Sequence, residues 1–192
     1  STTPPNKFRR TEGRKDFPHP APKNLLDILS TNGISVTSIG KISEFFAGRG
    51  ISTNIPTTNN QDHIQALQTN VESRSHGLVF ANLEDFDMLF GHRNDVVGFA
   101  NALETYDVSL GKFIAAMKTT DLLIITNDHG NDPTTPGTDH AREYAHLITY
   151  SPALKNVTDL GIRHSFSDIA CTILNNFELP FNVPGTSFLP EL

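Results

Sequence analysis

The chain has 192 residues, of which 37% are hydrophobic and 19% charged, and its formal net charge is −6. That balance describes a globular chain of one domain, or of one domain and part of another, and excludes a disordered segment. No basic stripe offsets the negative charge and no run of about 18 apolar residues occurs, so neither nucleic acid nor a membrane is an expected partner.

Residues 1–22, "STTPPNKFRRTEGRKDFPHPAP", are polar, proline-rich and without periodic pattern. They lack the apolar core of a signal peptide and read as an extended segment or linker. "NLLDILSTNG" has the spacing of a short amphipathic helix stopped by Gly33. "ISVTSIG" follows as a strand, and "KISEFFAGRG" as a helix ended by Gly48 or Gly50. "QDHIQALQTNVES" is helical, and "GLVFANL" is a short apolar run that reads as a buried strand. From Asp95 to Met117, apolar residues at 96, 99, 100, 103, 106, 110, 113, 114 and 117 give helical spacing. "DLLIIT" and "HLITY" are two further strands. "SFSDIACTILNNF" is a helix opened by a Ser165–Asp168 capping pattern. Its apolar run holds the single cysteine, Cys171. A buried, inert thiol suits a reducing, cytoplasmic setting.

Strands separated by helices at this spacing predict an α/β fold, a mostly parallel sheet with helices on both faces. Ligands of such sheets bind beyond the carboxyl ends of the strands. Two polar clusters stand there. "GLVFANL" runs into "EDFDMLFGHRND", which offers Asp85, Asp87 and His92. "DLLIIT" runs into "NDHGNDPTTPGTDHARE", which offers Asp128, His129, Asp139 and His140. Both strands are expected to deliver them to one sheet edge. Carboxylates and imidazoles gathered at a strand end are costly unless something pairs with them. A mixed set of this kind suits Mn²⁺, Zn²⁺ or iron rather than Ca²⁺. Adjacent side chains at a strand end diverge, so Asp128 and His129 share one ion only if the chain turns, which Gly130 permits. Five or six ligands exceed the needs of one zinc, and a pair of ions used on phosphate esters is the simpler reading. Asp85 and Asp139 also fit as loop caps. Asp107, between Leu103 and Leu110 on the apolar helix face, fits either a satisfied buried carboxylate or a support behind a ligand. His19, His63, His76 and His146 stand apart and read as ordinary surface or core imidazoles.

The strings "IGKIS", "DFDMLFGHRND" and D-H-G-N-D-P-T-x-x-G-T-D-H-x-R-E, together with "KFRRTEGRKDF" and "FSDIACTIL", closely resemble the bacterial-type phosphopentomutases of the alkaline phosphatase superfamily. The resemblance covers nearly the whole chain. It implies a partial alkaline-phosphatase-like core, two Mn²⁺ ions per intact enzyme, and a pentose phosphate substrate. The implied reaction interconverts ribose 1-phosphate and ribose 5-phosphate, or their deoxy forms, through a phosphothreonine. It further implies Asp87, His92 and His140 as the ligands of one ion and Asp128 and His129 as two ligands of the other. Arg10, Arg14 and Lys41 match basic positions that face the sugar phosphate in the family, and Arg142 follows the metal motif.

Members of that family are about twice this long. The Asp that completes the second ion site and the phosphorylated Thr have no counterpart here. The chain is therefore expected to be the C-terminal half, with residues 1–22 the end of a cap domain or linker and residues 23–192 part of the catalytic core. Alone it is expected to be inactive. Thr134, Thr135 and Thr138 lie between ligands but read as turn residues rather than nucleophiles. Asn94, where a second arginine is usual, and Asn127, where alanine is usual, are small departures that remove no ligand. Two other readings remain, a metal-dependent phosphatase or phosphodiesterase of the same superfamily and a non-catalytic metal-binding fragment.

Overall fold

A computed structural model describes residues 22–73, 76–180 and 183–192. Arg10, Arg14 and the expected linker, apart from Pro22, lie outside the described residues. Helix α1, Leu25–Thr31, begins where Asn24 and Asp27 cap each other. The Asn24 side chain accepts from the Leu26 N–H at 2.9 Å, and Asp27 accepts from the Asn24 N–H at 3.1 Å. Gly33, at φ 75, ends it as expected, with Ile34 N–H returning to the Leu29 carbonyl at 2.9 Å.

Strand β1, Val36–Ile39, is the centre of a three-stranded parallel sheet, flanked by β2, Thr53–Ile55, and β3, Leu78–Ala81. Thr37 pairs with Thr53 on one side and Val79 on the other. β2 is absent from the sequence reading, being only three residues with no apolar alternation. Helix α2, Ile42–Phe45, is shorter than expected. Ala47 already has a left-handed backbone at φ 50, and Gly48 N–H folds back to the Ser43 carbonyl. Helix α3, Asn60–Ser73, packs on β1, β3 and helix α4, Val96–Ala116, which the spacing placed within one residue at each end.

Two expectations about the sheet change. β3 is half-buried along its length rather than buried, because its far edge has no partner among the described residues. Strands β4, Leu123–Thr126, and β5, Leu147–Tyr150, pair with each other antiparallel, Leu123 opposite Tyr150, as a separate two-stranded sheet. The chain leaves β4 and returns beside it, so no crossover helix intervenes and the pair must be antiparallel.

The core joins α1, β1 and helix α5, Ser167–Asn176. Leu26, Leu29, Val36 and Leu174 are fully enclosed, with Leu78, Phe80 and Phe177 against them. The Ser165–Asp168 cap does not form. Asp168 instead accepts from Arg163 Nε at 3.0 Å and from the Thr186 N–H at 2.9 Å, and Arg163 also reaches Glu191 at 3.0 Å. That network pins the C-terminal segment to α5. Cys171 is buried, and burial pushes its thiol up, as an inert core thiol requires. No helix among the described residues is long and apolar enough to cross a membrane.

Candidate metal centre

The two clusters meet although their strands belong to different sheets. After β3 the backbone widens into a π-helical turn, Phe86–Phe90, and then a 3₁₀ turn, Gly91–Arg93. Phe86 anchors the first turn against Phe99 and Tyr106 of α4, at ring distances of 5.4 and 6.5 Å. Asp87 and His92 are carried on these turns. After β4 the chain makes an excursion whose base is closed by an antiparallel bridge between Gly130 and Ala141, with Ala141 N–H on the Gly130 carbonyl at 2.9 Å. Thr126 Oγ1 and Asn127 Oδ1 stitch the same base to His146 at 2.8 and 2.9 Å. Gly130 takes no left-handed turn, and its missing side chain leaves room for the Glu143 carboxylate and the Ala141 carbonyl. A Cβ would lie 2.2 Å from Glu143 Oε2.

Asp87 is the meeting point. Its Oδ1 lies 3.1 Å from His140 Nε2 and its Oδ2 lies 3.3 Å from His92 Nε2. The His140 ring is stacked on His129 at 3.5 Å and lies 4.9 Å from His92. Donor atoms of Asp87, His129 and His140 all fall within 4.8 Å of one another. His129 Nε2 is also 3.5 Å from Asp128 Oδ2, whose side chain is 70% exposed. His129 thus sits close to His140 as well as to Asp128.

A donor set of this kind asks for a cation. His92 Nδ1 meets the Thr138 carbonyl oxygen, so Nδ1 carries the hydrogen and donates. The lone pair of Nε2 then faces a carboxylate oxygen, and two acceptors at that distance need a proton or a metal between them. Carboxylate oxygen plus imidazole nitrogens, with the other ring nitrogen fixed by a carbonyl, is a fitting first-row divalent site.

Two asparagines shape this site: Asn131, which the sequence reading does not name, and Asn94, which it takes only as a small departure. Asn131 Nδ2 donates to Asp87 Oδ1, and Gly91 leaves room for it, since a Cβ there would come within 2.3 Å of the amide. Asn94, in the left-handed region at φ 52, donates to the carbonyls of Pro133, Thr135 and Gly137 at 2.9–3.3 Å and so ties the second cluster's loop to the first cluster's turn. Asn131 lies inside the D-H-G-N-D string and Asn94 just after G-H-R, but no local feature marks either as a long-range donor. Asp132 is held below the usual carboxylate range by the Thr134 hydroxyl and N–H. The hydroxyls of Thr134 and Thr135 are both spent on Asp132 within the turn.

Asp85 is a helix cap, accepting from the Asn60 N–H at 2.8 Å. Asp139 and Arg142 are exposed. Asp107 is exposed too, matching neither reading of it, because α4 packs on one side only and Leu103 beside it is itself 49% exposed. Lys41, at the end of β1, rests its ammonium 3.2 Å from Glu84.

Residues 23–181 match the sequence model of the Metalloenzyme superfamily. The chain is 50% identical over 186 residues to the phosphopentomutase of Syntrophotalea carbinolica, covering 96% of this chain and 47% of that protein. It is 47% identical over 189 residues to the phosphopentomutase of Caldanaerobacter subterraneus subsp. tengcongensis, covering 98% and 48%. The chain therefore spans about half the length of the curated relatives it matches. Its backbone is similar to that of a Leishmania mexicana phosphoglycerate mutase crystallised at low cobalt concentration, with a TM-score of 0.65, 16% identity, and coverage of 84% of this chain and 38% of that one. That likeness bears on the fold alone.

Proposed function

The chain belongs to the Metalloenzyme superfamily, and from that premise we propose that it is the metal-binding part of a phosphopentomutase. The reaction proposed moves a phosphoryl group between the 1- and 5-oxygens of ribose or deoxyribose. The observation that carries this reading is the convergence of His92 and His140, from separate clusters, on the two oxygens of Asp87. It occurs in a chain whose relatives at 42–50% identity are phosphopentomutases.

In this reading Asp87, His92 and His140 hold one Mn²⁺, and Asp128 and His129 supply part of a second site. Bound there, divalent ions neutralise phosphoryl oxygens and orient them for in-line transfer. The chain's own residues prepare that site. Thr138 fixes the His92 tautomer and Asn131 orients Asp87. The bond from Asn94 to the loop carbonyls holds His140 opposite the turn that carries Asp87. Lys41 and Arg142 supply positive charge for the substrate phosphate, joined by Arg10 and Arg14. No nucleophile is assigned within these residues, and the phosphorylated Thr is proposed to lie in the part of the relatives' length that this chain does not span. Residues 1–22 are proposed as a linker from a cap domain and 23–192 as catalytic core. A cytoplasmic setting in pentose phosphate and nucleotide metabolism is part of the same proposal, supported by the substrate class.

The test supplies ribose 1-phosphate and Mn²⁺ to the chain, alone and combined with a polypeptide carrying the remaining half of a relative. Ribose 5-phosphate is expected from the combination and not from the chain alone. Free phosphate instead would make the protein a phosphatase.

A further inference from the structure

A buried polar cluster below Lys41 is unused by the metal centre. His63, on the first turn of α3, is fully enclosed, and neither ring nitrogen has a hydrogen-bond partner. It packs under the turn that follows β1. A Cβ at Gly40 would lie 3.1 Å from His63 Nε2 and 2.6 Å from the Asn82 carbonyl oxygen, and Gly40 has a φ of 71. An imidazole enclosed without partners costs about 1–3 kcal/mol, so its presence calls for an account.

The charged groups that face His63 are Glu84, Asp85, Asp62 and Lys41. Two of the three carboxylates are committed elsewhere. Asp85 takes the Asn60 N–H, and Asp62 takes the Thr58 hydroxyl and the Asn59 amide. Glu84 is different. Its side chain is 14% exposed and its Oε2 is enclosed without a hydrogen bond, although Lys41 Nζ stands 3.2 Å away. The Lys41 contact has no hydrogen-bond alignment, and the ammonium also rests on Met88 Sδ at 2.7 Å. Enclosure thus rises from the Lys41 ammonium through the Glu84 carboxylate to the His63 imidazole.

We propose that Glu84 is a positioning residue shared by Lys41 and His63, so that a phosphate monoester drawn to Lys41 shifts Glu84 toward His63 and binds together with one proton. This rests on the reading of Lys41 as a phosphate contact. The proton comes from solvent and bonds to a His63 ring nitrogen, and no other bond is made or broken. The physical reason is charge balance. A largely enclosed carboxylate requires a cation, and a phosphate dianion that engages the Lys41 ammonium removes the one Glu84 has. His63 then supplies the replacement by becoming imidazolium. Before that, burial keeps the imidazole below its ordinary value, with Glu84 the largest influence in the opposite direction.

The test is an NMR titration of the ¹⁵N-labelled imidazole of His63 in the full chain, with His146 as an internal control. Lys41→Met is expected to raise the His63 pKa by roughly one pH unit, because Glu84 turns to it, and Glu84→Gln to lower it. Saturating ribose 5-phosphate is expected to raise it in the wild type and to leave Glu84→Gln unchanged. If neither substitution moves His63 while both variants keep the wild-type spectrum elsewhere, the shared carboxylate is overturned whatever the substrate is. If both substitutions act and ribose 5-phosphate does not, the coupling to ligand is overturned together with the reading of Lys41. A variant that loses the wild-type spectrum is replaced by Lys41→Gln or Glu84→Asp, judged by the same shifts.

Discussion

His140 lies between two other imidazoles and beside a carboxylate, an arrangement that repels itself if every ring is protonated and is short of hydrogens if none is. A divalent cation resolves both conditions. Removing the His140 nitrogen is therefore expected to weaken Mn²⁺ binding by at least the roughly 10–100-fold seen when mere supports of ligands are lost; calorimetry on His140→Ala measures it, and unchanged affinity would take His140 out of the set. A second prediction concerns His63. Its folded pKa lies below the ordinary value of 6.5 because burial disfavours the charged ring. Between the two values the unfolded chain binds a proton that the folded chain does not, so stability is full above about pH 6.5 and falls as the pH drops through that window. Urea titrations from pH 7.5 downward should show the wild type losing stability relative to His63→Gln below pH 6.5, and parallel curves would contradict a buried neutral His63. At this scale the sequence is readable where chemistry is dense over a short span, as in residues 126–143. It is not readable where a single amide reaches across the fold. Asn94 and Asn131 bond to partners 39 to 44 residues away, and nothing local distinguishes them from loop asparagines.

Among the elements, α4 was legible because apolar residues recur at helical spacing over six turns, and α1 because its amphipathic spacing stops at Gly33; the Asn24–Asp27 cap at its start emerges from the structure. Pairing was less legible. Nothing in "DLLIIT" or "HLITY" tells whether the neighbouring strand runs parallel; the direction of β5 follows from the excursion that returns the chain beside β4. The start of α5 misled for a related reason. Ser165 and Asp168 have capping spacing, but Arg163 and the Thr186 N–H, brought in by the tertiary fold, claim the carboxylate first. Asp168 is 7% exposed and holds the C-terminal segment through these bonds. Replacing it by Ala leaves Arg163 short of a partner and the Thr186 N–H without an acceptor. A loss of about 1.5–3 kcal/mol is expected, the range for hydrogen bonds to charged groups, read as a lower urea midpoint. A change within error would mean that Arg163–Glu191 alone secures the segment.

For the whole molecule, both sheets have unpaired edges among the described residues, and the long helix α4 leaves Val97 and Val108 70% and 64% exposed. The chain spans about half the length of the curated relatives it matches. In the proposed assignment, ligand counting separates the two ions: Asp87, His92 and His140 would offer three protein ligands to the first, whereas Asp128 and His129 would offer two to the second and leave its remaining positions to water. The most direct test is a calorimetric titration of this chain with Mn²⁺, in the wild type and in Asp87→Ala. One tight equivalent is predicted for the wild type and none for the variant. No binding at all, two tight equivalents, or binding that survives the loss of Asp87 would contradict a metal centre built on that carboxylate.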